Sequence, residues 1–161
     1  MDRCYLSTLV LSELQQQFPH FNIRCGILLI RKEDARILIV KEKPRRDFVG
    51  NVYGPPKGAA MRRDGNCVNA ACRELYEETK IAVNASHCLF PYFVFKHEYF
   101  RELLVLFPAI IEHPPEPQPD PREIAGCFWM SLEELKNSDA PKSSFTRSLI
   151  DCLYKIGITT V

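Results

Sequence analysis

Three glutamates in one short segment have the clearest potential for chemistry. Residues 72–79 read CRELYEET and contain Glu74, Glu77 and Glu78. If the segment is helical, the three carboxylates fall within a wedge of about 100° and point to one side. Clustered anions raise one another's pKa and destabilise a helix unless a cation compensates them. A hard divalent cation such as Mg2+ or Mn2+ takes oxygen ligands of this kind, often together with substrate phosphates. Taken alone, the pattern also fits a solvated acidic face.

A helix over about residues 68–79 would position these acids, with Asn66 as its N-cap. Its apolar residues share a different face, which we expect to pack on a sheet: Val68, Ala71, Cys72 and Leu75. The carboxylates would therefore face away from the core.

A glycine turn lies upstream of this helix. Residues 54–58 read GPPKG, and the backbone of such a turn can approach a metal or a phosphate closely. The turn, a β-rich hairpin before it and the acidic helix together resemble the Nudix box, G-x5-E-x7-R-E-U-x-E-E-x-G-U, in which U is a bulky aliphatic residue. The matching residues are Gly58, Arg73, Glu74, Leu75, Glu77, Glu78 and Ile81. This context favours a metal site over a solvated acidic face.

The sequence departs from the Nudix box at two places. The interval from Gly58 to Arg73 is one residue longer, so alignment from the helix puts Gly65 where the first glutamate belongs, with Asp64 beside it. In the family that acid lies farther from the main metal cluster, so we expect tuning of activity rather than its loss. Lys80 replaces the terminal glycine, and a lysine in a left-handed turn costs about 1 kcal/mol of stability.

The resemblance covers roughly residues 20–157 and implies an α/β/α sandwich that hydrolyses the pyrophosphate bond of a nucleoside diphosphate linked to another group. It implies that Glu74, Glu77 and Glu78 ligate Mg2+ or Mn2+, with the carbonyl of Gly58 as a further ligand. Glu77 also counts among the catalytic residues, as does Arg73, which would pair with one acid and orient it. Such metals neutralise phosphate charge and make water a nucleophile near neutral pH, so that catalysis needs mainly positioning and charge stabilisation.

A general base is still required. Residues 122–129 read REIAGCFW and resemble the E-I-x4-W segment of the family, in which the glutamate lies on a loop over the metals and takes the proton of the water. This makes Glu123 the candidate base, with a surface acid at the start of a strand as the alternative. Trp129 lies within an apolar strand and is predicted to belong to the core.

The three segments together are more similar to the mRNA-decapping branch of the family, cellular or viral, than to enzymes that clear small nucleotides. That branch cuts the cap triphosphate and releases 7-methylguanosine diphosphate. Lys57 would contact a phosphate, and the basic runs that flank the turn could bind the RNA backbone, although solvated loops often carry such residues. These substrate-binding candidates are Lys57, Arg45, Arg46, Arg62 and Arg63. Several aromatic residues could stack on a base, but residues of this kind more often belong to the core: Tyr53, Phe48, Tyr92 and Phe95.

Two other functions stay open. One helix precedes the Nudix region, whereas the cellular decapping enzymes have a separate N-terminal regulatory domain. The alternative to decapping is therefore a small-molecule pyrophosphatase acting on nucleoside triphosphates, dinucleoside polyphosphates or diphosphoinositol phosphates. The missing first glutamate also allows a non-catalytic RNA-binding protein, but the intact acidic cluster argues against it.

The composition predicts one ordinary globular domain of 161 residues. A net charge of +1 does not direct the whole molecule to nucleic acid or to a membrane, and no apolar run suits a signal peptide or a membrane span. The seven cysteines are scattered and include no C-x2-C pair, which indicates reduced core residues in a cytoplasmic, or else nuclear, protein. The final TTV resembles a PDZ-domain ligand, with Thr159 and Val161 as anchors, although three residues are weak evidence.

The remaining segments predict an α+β fold with a mixed sheet between helices. We expect a helix over residues 5–17, which would place an N-terminal element of residues 1–19 on a single domain of residues 20–161. Ser131 and Glu134 form a capping box at the start of a short helix, and a last helix is predicted over residues 142–156. Residues 114–122 form a proline-rich loop. The β-rich runs predict strands over 22–32, 36–43, 87–99, 101–113 and 123–130, the first two joined as a hairpin.

Overall fold

The computed structural model describes residues 9–45, 49–89 and 92–156 of the chain. These residues form four helices and seven strands. In chain order they are α1 (Leu11–Gln17), β1 (Asn22–Arg31), β2 (Ile37–Glu42), β3 (Tyr53–Gly54), β4 (Lys57–Ala59), α2 (Cys67–Thr79), β5 (Phe93–His97), β6 (Glu102–Ile111), β7 (Ile124–Met130), α3 (Leu132–Asn137) and α4 (Ser144–Lys155).

Strand β1 lies at the centre of a mixed sheet. It runs parallel to β6 along its whole length and antiparallel to β4, and it pairs with β2 at Ile30 and Ile37, next to the hairpin turn. Beyond that turn the two strands have different neighbours, because β2 pairs with β7 and β3. Strand β5 pairs with the outer edge of β6. The predicted α+β class with a mixed sheet is therefore confirmed.

Helices cover both faces of the sheet. Alternate side chains of β1 point to opposite faces, so that Ile27 packs with Leu75 of α2, whereas Leu28 packs with Leu149 of α4. Helix α1 adds Leu11 to the α2 side. Full burial of a side chain of this size contributes about 1.5–3 kcal/mol. These two apolar layers fix the α/β/α arrangement that holds the acidic helix in place.

Several element boundaries differ from the sequence expectations. Helix α1 begins at Leu11, because the N–H of Cys67 binds the carbonyl of Leu9 and ties the preceding segment to the start of α2. Strand β5 begins at Phe93, since residues 85–87 form a short 3-10 turn capped by Asn84. The Ser131 capping box is confirmed at the start of α3. Residues 1–8 and 157–161, including Thr159 and Val161, lie outside the described residues.

The described cysteines carry free thiols: Cys25, Cys67, Cys72, Cys88, Cys127 and Cys152. Of the helices in the described ranges, none has the length and apolar character that a membrane span requires.

Candidate functional site

Helix α2 carries the three glutamates, and both of its ends are fixed. The side-chain oxygen of Asn66 accepts the backbone N–H of Asn69 at 2.8 Å, which confirms the predicted N-cap. Lys80 ends the helix in the expected left-handed conformation, with φ at 62°, and its N–H donates to the carbonyl of Tyr76. Between these ends Leu75 is fully buried against the sheet. The apolar face therefore determines which side of α2 the acids occupy.

Arg73 organises the acidic side of α2. Its Nη1 donates to Glu74 Oε1 at 2.8 Å and to Glu77 Oε2 at 3.0 Å. Its Nε and Nη2 bind the two oxygens of Asp64 at 2.8 and 3.0 Å, and Nη2 also binds the carbonyl of Ala59. The ion pair with Asp64, followed by the one with Glu74, raises the pKa of Arg73 despite its partial burial. The prediction that Arg73 pairs with one of the acids is confirmed.

Asp64 lies one residue before Gly65, the position that aligns with the first glutamate of the motif. Gly65 has a φ of 76° and closes the 3-10 turn of Arg62–Asp64, a conformation that favours glycine. Asp64, one residue earlier, directs its carboxylate to Arg73 and also accepts the N–H of Met61 at 2.7 Å. Burial alone would raise the pKa of Asp64, but these bonds outweigh it and lower the pKa. An acid one residue before the aligned position thus binds the arginine of the motif.

Gly58 lies directly against the carboxylate of Glu74. A Cβ built on Gly58 would stand 2.1 Å from Oε2 of Glu74, so this position has no room for a side chain. The Glu74 carboxylate is buried, and burial raises its pKa although Arg73 opposes the change. The glycine turn and the acidic helix therefore meet, as the sequence motif predicts.

Glu78 is the most deeply buried of the three acids, with 4% of its surface exposed. Its Oε2 is buried and has no hydrogen-bond partner among the described residues. Burial raises the pKa of Glu78 to about 8, with Lys57 acting in the opposite direction. A carboxyl group in this state is stabilised by an added positive charge.

Lys57, the predicted phosphate ligand, is buried beside an acid. Its side chain is 3% exposed, and its ammonium lies 3.9 Å from Oε1 of Glu42. Burial lowers the pKa of Lys57, whereas Glu42 and Glu78 act to raise it. The ammonium therefore lies among buried acids, and the contact of Lys57 with a substrate phosphate stays a prediction.

Glu42 is a buried acid that sequence reasoning missed. It ends β2 and is 7% exposed. Every second side chain of β2 lies on the same face, and Glu42 shares that face with Leu38 and Val40. The two apolar residues point inward, so the alternation would have predicted that Glu42 is buried.

Glu123 lies on the loop before β7, with about half of its side chain exposed. Its carbonyl accepts the N–H of Lys43 at 2.8 Å, and its own N–H binds the carbonyl of Asp120. The charge of Glu123 contributes to the raised pKa of Glu74, so the structure brings Glu123 near the acidic site. Its action as a base stays a prediction.

The predicted basic residues do not share one set of contacts. Arg45 lies 4.0 Å from Glu42 and 4.0 Å from Glu123. Arg62 and Arg63 are exposed on the 3-10 turn, where Arg62 borders a groove between α1 and β4. Arg46 lies outside the described residues, as does the aromatic Phe48.

The residues of this site fit a divalent cation, although they are not gathered around one point. In the described ranges, no three His, Cys, Asp or Glu side chains form a metal-binding group. However, Glu78 has a buried oxygen without a hydrogen-bond partner among the described residues, and no side chain separates the backbone of Gly58 from the carboxylate of Glu74. Burial also raises the pKa of both Glu74 and Glu78, which a cation would reverse.

Comparison with known proteins places the chain in a family. The chain is 28% identical to phosphatase NudJ of Escherichia coli strain K12 over 144 residues, which cover 86% of this chain and 85% of that protein. The fold is similar to that of a Caenorhabditis elegans Ap4A hydrolase, with a TM-score of 0.61, 19% identity, and coverage of 83% of this chain and 96% of that one. It is also similar to a Francisella tularensis NMN adenylyltransferase/ADP ribose pyrophosphatase complexed with AMP and a manganese ion, with a TM-score of 0.66 and 19% identity. That match covers 95% of this chain and 46% of the bifunctional protein. The NUDIX domain model matches residues 20–150, and the chain belongs to the Nudix family of hydrolases.

Proposed function

We propose that this Nudix hydrolase cleaves a pyrophosphate bond in small nucleotides with the help of a divalent cation, Mg2+ or Mn2+. The observation that carries the proposal is the buried carboxyl oxygen of Glu78, which has no hydrogen-bond partner in the described part of the chain. Oxygen ligands of this kind are the ones that both cations prefer. A function without catalysis would leave this buried acid without a role.

Glu74, Glu77 and Glu78 would hold the cation, together with the carbonyl of Gly58. A cation at this site would neutralise phosphate charge and make water a nucleophile near neutral pH. Arg73 holds Glu74 and Glu77 at 2.8 and 3.0 Å, which limits the orientations of both carboxylates. Arg73 therefore acts by positioning these two acids.

Glu123 would accept the proton of the attacking water. Its backbone is bound on both sides, to Lys43 and Asp120, while its carboxylate is half exposed near Glu74. A fixed backbone with an accessible carboxylate is what a general base requires, because the base must reach the water and release its proton to solvent.

Two observations support small nucleotides over capped RNA. The relatives include phosphatase NudJ of Escherichia coli, and the similar structures include an Ap4A hydrolase and an ADP ribose pyrophosphatase. In addition, Lys57 is buried and Arg62 borders a different surface from Arg45, so the described residues do not form the continuous basic patch that RNA binding would use. The sequence pattern favours decapping, whereas these findings favour the small-molecule alternative.

A substrate panel tests this proposal. We expect Mg2+- or Mn2+-dependent cleavage of nucleoside triphosphates, dinucleoside polyphosphates or ADP-ribose, with products identified by mass, and slower cleavage of capped RNA oligonucleotides. Diphosphoinositol phosphates complete the panel. Glu78→Gln should lower kcat by at least about 100-fold, while Glu133→Gln, an exposed acid on α3, should leave it unchanged. Faster cleavage of capped RNA than of every free nucleotide would contradict the small-molecule assignment.

A further inference from the structure

The proline-rich loop of residues 114–122 is bound to the C-terminal end of α2. The N–H of Gln118 donates to the carbonyl of Thr79 at 2.8 Å, and the N–H of Asp120 donates to the carbonyl of Glu78 at 3.0 Å. The last carbonyls of a helix have no partner within the helix, so the loop supplies what α2 itself cannot. Because Glu78 is a candidate metal ligand, the loop is attached to the backbone of the acidic site.

Asp120 also begins the turn that carries Glu123. Its Oδ1 accepts the backbone N–H of Arg122 at 3.0 Å, and its carbonyl accepts the N–H of Glu123 at 3.2 Å and that of Ile124 at 2.8 Å. Pro121 stands at the next position, where its ring fixes φ at a value that suits such a turn. Asp120 itself is 8% exposed. The side chain and the backbone of this buried residue therefore define the turn together.

Lys43 holds the other side of the same turn. Its N–H donates to the carbonyl of Glu123 at 2.8 Å, and its ammonium donates to the carbonyl of Pro121. The turn is therefore bound both to the end of α2 and to the residue that follows β2. None of these bonds uses the carboxylate of Glu123, which is half exposed. The backbone is fixed, while the carboxylate stays accessible for proton transfer.

We propose that Asp120 is a positioning residue, which sets the place of the candidate base Glu123 relative to the candidate metal ligand Glu78. The inference rests on the proposed function and names the residue that places its base. The N–H of Asp120 binds the carbonyl of Glu78 and its carbonyl binds the N–H of Glu123, so one residue joins the two backbones. A general base must lie within hydrogen-bond reach of the water that it deprotonates. A displacement of about 1 Å at such a site can lower the rate about 100-fold.

Four variants separate the turn geometry from the charge of Asp120. Asp120→Ala removes the acceptor of the Arg122 N–H, whereas Asp120→Asn keeps a side-chain oxygen that closes the turn about equally well. Arg122→Ala removes only the guanidinium, which is 86% exposed and whose ion pair with Asp120 contributes little, and it keeps the backbone N–H. Asp139→Ala is the matched control, because Asp139 is an exposed acid on the loop between α3 and α4.

The experiment is steady-state kinetics of the full chain with ATP, Ap4A and ADP-ribose in saturating Mg2+, together with Mn2+ binding and amide hydrogen exchange. We expect Asp120→Ala to lower kcat by at least about ten-fold, with KM and Mn2+ affinity unchanged, and to speed exchange at residues 120–124. The other three variants should keep kcat within about two-fold of the wild-type value. In a Glu123→Gln background, Asp120→Ala should cause no further loss of kcat, because it acts through Glu123.

Three results would overturn the positioning role. They are an unchanged kcat in Asp120→Ala, the same fold loss with and without the Glu123 carboxylate, and a ten-fold loss in Asp120→Asn. The last of these decides the matter even if Asp120→Ala does not fold. Full activity of Glu123→Gln would refute the base and, with it, the role of Asp120, while hydrolysis that requires Glu78 would leave the proposed function intact. Unaltered turnover in Glu78→Gln would refute the function itself.

Discussion

Arg73 binds Asp64 through two hydrogen bonds, from Nε to Oδ1 at 2.8 Å and from Nη2 to Oδ2 at 3.0 Å. The same guanidinium binds Glu74 and Glu77 through Nη1. Asp64 therefore sets the orientation of an arginine that in turn orients two of the candidate metal ligands. This pairing links the 3-10 turn before α2 to the acidic side of the helix.

Removal of the Asp64 carboxylate should cost stability as well as activity. Asp64→Ala deprives the partly buried Arg73 of two charge-assisted hydrogen bonds, and we expect the free energy of unfolding to fall by about 2 kcal/mol. Urea denaturation measures this change. Arg62→Ala, at an exposed position on the same turn, is the control and should change stability by less than about 0.5 kcal/mol. Equal stability of the two variants would show that the Asp64–Arg73 pair does not support the site.

A side chain at position 58 should displace Glu74. The methyl group of Gly58→Ala would stand 2.1 Å from Oε2 of Glu74, so the carboxylate has to move. Because a displacement of about 1 Å at a catalytic site can cost 100-fold in rate, we expect kcat to fall by about that factor. Ala59→Gly, the exposed neighbour, should keep kcat within about two-fold of the wild-type value. Steady-state kinetics in saturating Mg2+ measures both variants. Full activity of Gly58→Ala would show that the contact between Gly58 and Glu74 does not matter for catalysis.

The raised pKa of Glu78 predicts how metal-free protein responds to pH. Its folded-state pKa of about 8 lies above its ordinary value of 4.5, so the folded protein binds the proton more tightly than the unfolded chain. Ionisation of Glu78 therefore destabilises the folded protein as the pH rises. The free energy of unfolding falls between about pH 4.5 and pH 8, with a slope of at most about 1.4 kcal/mol per pH unit. Glu78→Gln should remove this component, measured as the difference between the two unfolding curves in EDTA. Mg2+ should restore stability to the wild-type protein at pH 8, and identical pH profiles for both proteins would refute the burial effect.

Lys80 offers a test that is independent of catalysis. Lys80 ends α2 with φ at 62°, where a glycine avoids the steric cost of a side chain. We expect Lys80→Gly to raise the free energy of unfolding by about 1 kcal/mol, and Tm by about 2–4 °C. Lys136→Gly, inside helix α3, should have the opposite sign and lower stability by about 1 kcal/mol. Thermal unfolding followed by circular dichroism measures the Tm of both variants. A lower Tm in Lys80→Gly than in the wild-type protein would show that the left-handed backbone at Lys80 is not strained.

Local patterns predicted those features that depend on neighbours in the chain. The N-cap Asn66 and the apolar face of α2 follow from residue types at short spacing. The approach of Gly58 to Glu74 was expected from the resemblance to the Nudix box. The hairpin of β1 and β2 and the capping box at Ser131 were predictable for the same reason.

Features that require distant strands to meet were not predictable. The burial of Lys57 beside Glu42 depends on how β4 is placed relative to β2, two strands that pair with β1 at different positions along its length. The stacking of Tyr53 on Phe128 joins β3 to β7 across more than seventy residues of sequence. The contact of Asp64 with Arg73 lies next to a turn that Gly65 closes with a positive φ, and the spacing alone did not reveal it.

Binding of Mn2+ to the wild-type protein and to Glu78→Gln, with hydrolysis of a nucleotide followed in the same samples, tests the central claim most directly. The account predicts that the wild-type protein binds Mn2+ and hydrolyses the nucleotide, and that Glu78→Gln loses at least about 100-fold in kcat and weakens Mn2+ binding by at least about ten-fold. A Glu78→Gln protein that binds Mn2+ and turns over nucleotide as the wild-type protein does would contradict the account.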